Sequence, residues 1–371
     1  MRSCSEPHSK VLGGSMRLWG QDWSRAELCK RIGALSQLGG ITRYEYCDGK
    51  AKGVTALRVR TAAGLEFSVL PERGLDIFEA AYLGRSLAWH SPAGVVHPAY
   101  YDSRNIQWLK TFAGGMITTC GSSTAGPPSE DQGEALGLHG GISNTPAEQV
   151  NWFEEWRGDE LLLTISGRVR ESRVFGPNLV THRTIETSLA GRSIGLTDRI
   201  ENEGSEESPL MRIYHCNFGF PLLTERSRIY CPSRKVKPRT EFAAQSAEIW
   251  SVFGPPIKGI EERVYFHDME RGPNGGVRVV LVSDDATRDF AVEMTYLAAT
   301  LPRFVEWKMT GEGHFVLGLE PANCGLAGRK AERESGALYL LQPGERMEFH
   351  VELRVLDGTN EVAESIASYT A

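Results

Sequence analysis

The sequence predicts an all-β chain folded as a large antiparallel β-sandwich. Three observations lead there. Apolar residues alternate with polar ones at period two in segment after segment, the mark of strands with one buried face. Turn-forming clusters such as Glu203-Gly204-Ser205, Gly272-Pro273-Asn274-Gly275-Gly276 and Pro343-Gly344-Glu345 separate them, and the 40 glycines and 18 prolines suit a chain that reverses often. No strand–helix–strand alternation is visible, which argues against a parallel α/β sheet.

Along the chain, residues 1–15 are polar and glycine-containing and are expected to be a flexible tail, with residues 16–371 as one domain. Ser24-Arg25-Ala26-Glu27 has the capping-box pattern, with Leu28 and Ile32 one helical turn apart and Gly33 as a stop. A short amphipathic helix is expected there. Leu57 and Val59, then Leu65, Phe67 and Val69, read as a hairpin. Further strands are expected at Leu161–Val169, Ile185–Leu189, Ile194–Ile200 and Val277–Val282, and at Met347–Val355, the longest clean alternation. So many half-buried strands must close onto a second sheet. Two long stretches, residues 88–148 and 231–275, read as loops, and long loops in compact domains are usually binding surfaces.

The formal net charge of −6 excludes the basic excess that reading phosphates requires. The one basic run, Arg234-Lys235-Val236-Lys237-Pro238-Arg239, reads as a solvated loop. No stretch has the roughly 18 consecutive apolar residues of a membrane span, and the N-terminus lacks a signal-peptide core. The seven cysteines are scattered without a CxxC pair, which suits free thiols in a reducing cytoplasm.

Three segments carry candidate chemistry. Gly318-Leu319-Glu320-Pro321 puts a carboxylate beside a proline expected to end the strand, on the parity opposite Leu317 and Leu319. Gly137-Leu138-His139-Gly140-Gly141 sets an imidazole among glycines that would let a ligand approach the backbone. Tyr214-His215-Cys216-Asn217-Phe218 supplies a second imidazole. Each has a plainer reading: a surface salt bridge, a turn histidine, a satisfied core imidazole. The three side chains could also form a two-His-one-carboxylate metal set.

In order and spacing these segments resemble the motifs of the aldose 1-epimerase (galactose mutarotase-like) superfamily, over about residues 16 to 356. The stretches Glu72-Arg73-Gly74-Leu75-Asp76, Thr118-Thr119-Cys120-Gly121 and Leu138–Ala147 resemble an uncharacterised branch of it. The resemblance implies the superfamily's supersandwich with a few short helices, and a cofactor-free isomerase that interconverts sugar anomers. It implies Glu320 as general base, His215 as general acid and His139 as a substrate-binding partner. Arg73 would replace the family's N-terminal arginine, Asp268 would be its hydroxyl-binding aspartate, and Asp76 would be a contact particular to this branch. Glu72-Arg73 stands where the family has Asn-Arg, and Tyr214 precedes His215 where the family has Asn. The implied partner is a small sugar, with no nucleic acid and no membrane, bound by a cytoplasmic monomer or homodimer. A metal-dependent sugar isomerase and a non-catalytic sugar-binding protein on the same scaffold are the alternatives.

Overall fold

The computed structural model describes residues 16–368; the expected tail, residues 1–15, lies outside them. The described chain is built on two large sheets in which every pairing between strands is antiparallel. The smaller has eight strands, in the order Ala147–Arg157, Glu160–Ser172, Asn178–Ser188, Ser193–Asn202, Arg346–Asp357, Phe290–Leu297, Gly276–Val282 and Arg228–Tyr230. The larger has twelve, and its middle is Arg263–Met269, Arg303–Gly311, His314–Ala322, Ser208–Gly219, Ile117–Ser122 and Asp76–Tyr82. This is the predicted β-sandwich, and the expected alternating segments are strands in it. Ser24 caps a helix at Arg25–Cys29 through the anticipated capping box.

One apolar cluster fills the space between the sheets. Leu163, Ile165, Leu196 and Val351 come from the smaller sheet, and Val69, Ile77, Tyr214, Leu317 and Leu319 from the larger. A polar group is sealed into the same layer. The Arg183 guanidinium, with no exposed surface, forks onto Asp198 at 2.7 Å and reaches Asp76 Oδ1 at 2.8 Å. The Tyr214 hydroxyl donates to the same Asp198 at 2.8 Å. Buried charges are tolerable only when paired and hydrogen-bonded, and this arrangement meets that condition across both sheets.

The larger sheet buries its outer face as well. Met211, Ile213, Cys120 and Ala322 project there and pack under Trp108 and Phe112, which belong to the long 88–148 segment. That segment therefore lies over the centre of the sheet. It also supplies the strand Ile117–Ser122, whose small residues, buried on both faces, show no alternation. The basic run is likewise not a solvated loop: Ser233–Pro238 is the edge strand of the larger sheet, paired with Arg263–Met269. Lys235 and Lys237 are exposed on it, as charges on an edge usually are.

Candidate functional site

Two adjacent strands of the larger sheet position the carboxylate and one imidazole. On Ser208–Gly219, Tyr214 and Cys216 point into the core while His215 points to the outer face. On His314–Ala322, Leu317 and Leu319 take the core and Glu320 the outer face. The pairing runs from Ile213 opposite Ala322 to Cys216 opposite Leu319, which sets His215 across from Glu320. Pro321 does not end the strand as expected. It pairs with Phe304 on the other side, and Tyr214 faces it across the stretch where the ladder lapses, as a residue without an N–H requires. Glu320 is also sealed, with 2% of its surface exposed, because the 88–148 segment covers the face it occupies.

His215 Nε2 lies 3.2 Å from Glu320 Oε1. Gly318 makes room for this contact: a side-chain carbon there would come within 2.9 Å of Glu320 Oε1 and 3.1 Å of His215 Cε1. His139 arrives from the covering segment, its ring perpendicular to that of His215 with centroids 6.2 Å apart. Its backbone is left-handed, at φ 58°. The main chain holds it there: its N–H donates to the Gly126 carbonyl at 2.8 Å and its carbonyl accepts from Gly121 N–H at 2.9 Å. Gly140 does not open the backbone to a ligand, as expected. A Cβ there would strike the Thr124 and Gly121 carbonyls at 2.5 and 2.6 Å, so the glycine permits close chain packing.

Aromatic rings wall the trio. Phe112 and Trp307 lie 5.6 and 5.3 Å from the His215 ring, and Trp108 lies 5.0 Å from His139 while stacking on Phe112 at 4.5 Å. In this dry setting the charged form of each group, carboxylate or imidazolium, is penalised. Burial pushes the Glu320 carboxyl up to about 8, aided by Glu262 and opposed by Arg239. Burial, reinforced by the neighbouring His139, pulls His215 down to about 3. Burial and Arg239 bring His139 to about 4. The Nδ1 atom of His139 is buried with no partner, an unmet hydrogen-bonding demand, and hydrogen bonding to Asn217 opposes the fall of the His215 pKa.

The other expected site residues lie elsewhere. Arg73 is buried, and its guanidinium donates to the Val96 and Thr111 carbonyls at 2.7 Å each; burial draws its pKa to about 10. It fastens the covering segment that carries Trp108 and Phe112, so its donors meet protein carbonyls instead of an open pocket. Asp76 accepts from Thr119 N–H and hydroxyl at 3.0 and 2.6 Å and from Arg183. It belongs to the interior polar group between the sheets. Asp268 is exposed, opposite Lys235 of the edge strand, and the strand Arg303–Gly311 separates its strand from that of Glu320.

Glu262, just before the strand that carries Asp268, sits nearer the trio. It accepts the Trp307 indole N–H at 2.8 Å, and Arg239 Nη1 lies 3.8 Å from its other oxygen. Sequence reasoning missed Glu262, Arg239, Trp307 and Phe112. The aromatic residues of the 88–148 stretch are the one sequence signal that points toward the last. Among the described residues no group of three His, Cys, Asp or Glu side chains could hold a metal ion, so the trio does not have the shape of the metal set considered above. Beside the trio, past Phe112 and Trp307, opens a cavity of about 610 Å³ whose wall also includes Trp89 and Glu262.

Residues 51–355 match a family model described as a domain of unknown function, DUF4432. No curated protein matches the chain. A protein from Klebsiella pneumoniae subsp. pneumoniae MGH 78578, provisionally assigned as an aldose 1-epimerase, superposes with a TM-score of 0.84. The two share 26% identity over 89% of this chain and 86% of that one. A galactose 1-epimerase from Lactobacillus acidophilus NCFM has a TM-score of 0.55 at 12% identity, covering 86% and 99% of the two chains. A galactose mutarotase-like protein from Clostridium acetobutylicum has 0.54 at 14%, covering 86% and 99%. The last two similarities establish the galactose mutarotase-like fold. No helix among the described residues is long and apolar enough to cross a membrane.

Proposed function

The chain belongs to the DUF4432 family, and from that premise we propose that it is a cofactor-independent aldose 1-epimerase-like enzyme that interconverts the anomers of a sugar. The observation that carries this reading is the 3.2 Å approach of His215 Nε2 to Glu320 Oε1 in a sealed, aromatic-walled site. The provisional assignment of the Klebsiella relative supports it.

Anomer exchange needs one proton removed from the C1 hydroxyl and one delivered to the ring oxygen as the bond between C1 and that oxygen breaks. Rotation about C1–C2 follows, and reclosure returns both protons. A pair of groups sharing a single proton does both tasks, because one member is always the acid and the other the base. Between about pH 3 and 8 the shifted values of His215 and Glu320 leave the pair with one proton. In the empty site burial keeps that proton on Glu320 and both groups uncharged. Sugar hydroxyls donating to the carboxylate favour its ionised form, which moves the proton to His215. Glu320 then takes the C1 proton and His215 protonates the ring oxygen. His139, with its unpartnered Nδ1, binds a sugar hydroxyl beside them.

Exchange spectroscopy of anomeric protons over a panel of aldoses and ketoses tests the reading, since it detects exchange without net conversion. Catalysed exchange in the wild type that is lost in Glu320→Gln and His215→Ala supports it. No acceleration over buffer for any sugar sinks it.

A further inference from the structure

We propose a second catalytic site, in which Ser233, His267 and Glu306 act as nucleophile, base and orienting carboxylate to hydrolyse small carboxylic esters that carry a further negative group.

The three residues stand on neighbouring strands of the larger sheet, Ser233–Pro238, Arg263–Met269 and Arg303–Gly311. Ser233 pairs with Met269, and His267 pairs with Phe304. Alternate residues share a face, and Met269 and Phe304 pack in the layer between the sheets. Ser233, His267 and Glu306 therefore look toward the smaller sheet, on the face opposite to that of His215 and Glu320. His267 Nδ1 lies 3.0 Å from Ser233 Oγ, and its Nε2 lies 3.2 Å from Glu306 Oε2. An ionised carboxylate only accepts, so the ring proton sits on Nε2 and Nδ1 accepts from the serine hydroxyl. The competing acceptor for that hydroxyl, the Lys235 carbonyl, is farther away at 3.3 Å. Trp250 and Phe304 pack edge-on against the imidazole, at 4.9 and 5.6 Å between centroids, and fix its plane.

A hydroxyl in reach of a base that a third group orients is the arrangement that activates serine. A purely structural role accounts for it less well. The Glu306 side chain has no exposed surface, and its Oε1 is buried without a partner. Sealing a half-satisfied carboxylate costs stability that an apolar side chain would not. A carboxylate that must stabilise an imidazolium accounts for that cost. Lys308, two residues along the same face, sets a positive charge beside it, its ammonium donating to the Trp250 carbonyl at 2.7 Å.

Ser233 also faces open space. It lines a cavity of about 1100 Å³ at the edge of the sandwich, and the strand Gly276–Val282 of the smaller sheet borders the same cavity. Arg234, Arg271 and Arg278 stand on its wall against one carboxylate, Glu270. Arg234 pairs with Glu270 and Arg278 with Glu293. Arg271 has no ion-pair partner among the described residues, which leaves it to hold an anionic group of the ligand. Asn274, on the same wall, offers an amide donor to the ester oxygen as charge develops on it.

In the reaction Ser233 Oγ attacks the ester carbonyl carbon, and its proton passes to His267 Nδ1. The tetrahedral adduct collapses by breaking the bond to the alcohol oxygen, which leaves with that proton. Water attacks the acyl-serine by the same route, giving a proton to Nδ1. The acid departs as this proton returns to Ser233 Oγ, so ester and water become acid and alcohol. Glu306 touches only the imidazole and is a positioning residue.

The full chain is treated with a fluorophosphonate and mapped by peptide mass spectrometry. Its turnover of para-nitrophenyl hemisuccinate and para-nitrophenyl butyrate is followed by release of nitrophenol. The expected results are an adduct on Ser233, turnover above buffer that Ser233→Ala abolishes, and kcat/KM at least about tenfold higher for the hemisuccinate. Arg271→Gln removes that preference. Glu306→Gln lowers kcat by about 10²-fold or more with KM little changed, a split that a residue needed only for packing would not produce. If that variant does not fold, labelling of the wild type and the half-buried Ser233→Ala change decide the matter. No adduct on Ser233 in the folded wild type, or turnover that survives Ser233→Ala, overturns the site. Equal kcat/KM for the two esters overturns the anionic substrate class.

Discussion

His215 and Glu320 stand opposite each other on neighbouring strands, with His215 Nε2 3.2 Å from Glu320 Oε1 although they lie 320 − 215 = 105 positions apart in the chain. Their backbones are fixed by the sheet and their side chains by a lid of aromatic rings. A proton donor and acceptor held at that spacing need no reorganisation before transferring protons to adjacent atoms of one ring.

Glu320→Gln keeps the shape of the side chain and removes its proton chemistry; His215→Ala removes the other partner. Each is expected to lower catalysed anomer exchange by about 10²–10⁴-fold while the circular dichroism spectrum stays that of the wild type. Wild-type rates in both folded variants, measured by polarimetry, refute the assignment.

The rate should follow a bell in pH. Below about 3 both partners are protonated and no base remains; above about 8 both are deprotonated and no acid remains. The limbs belong to the pair as a unit, and the accessible one is alkaline. Glu262→Gln removes a charge that raises the Glu320 value and should move this limb to lower pH. Arg239→Gln removes one that lowers it and should move the limb higher. Shifts of the same sign in the two variants contradict this electrostatic account.

Stability carries a linked signature. Folded Glu320 keeps its proton up to about pH 8, against an ordinary carboxyl value of 4.5. Between those values the folded chain holds a proton that the unfolded chain has lost, so the contribution to stability falls as pH rises. Glu320→Gln lacks this liability and should gain on the wild type by on the order of 3 kcal/mol between about pH 5 and 9. His139 and His215, both drawn below 6.5, act in the opposite direction: stability is lost as pH falls from 6.5 toward 4 and 3. Denaturant midpoints across pH check both slopes, and a pH-independent difference between Gln variant and wild type is the contrary outcome.

Gly318→Ala probes the geometry without replacing either reacting group. The added methyl meets Glu320 Oε1 at 2.9 Å and His215 Cε1 at 3.1 Å, so one of them must move. The expected cost is about 1–3 kcal/mol of stability, together with a fall in kcat larger than any change in KM. Unchanged kcat would mean that the pair's spacing is immaterial.

The strands were legible because their hydrophobic period is written in single residues. Leu161, Leu163 and Ile165 alternate in sequence and share one face in space. The strand Arg303–Gly311 reverses that logic. Phe304, Glu306 and Lys308 face the core side, where Glu306 contacts His267 at 3.2 Å and Lys308 donates to the Trp250 carbonyl at 2.7 Å. Val305, Trp307 and Met309 take the other face. Alternation alone sends the charges outward and hides Trp307, and with it the Glu262 that holds its indole. His139, His215 and Glu320 were singled out because they sit in distinctive local contexts. Arg73 and Asp76 sit in one too, but their partners are carbonyls and an arginine far along the chain, which no local pattern discloses. The burial of Glu320 depends on a segment some two hundred residues earlier, so its raised pKa was equally invisible.

Tyr214 hooks Asp198 in the opposite sheet, and Arg183 grips Asp198 and Asp76 at the same point. Apolar side chains tolerate small slippage between layers; a set of interior charges does not, because a step of about 3.3 Å along a strand strands every partner. The sandwich is therefore clamped on the side away from the pocket, one residue from His215. The covering loop 88–112 can therefore change in sequence while the alignment of the strand that carries His215 stays anchored from behind.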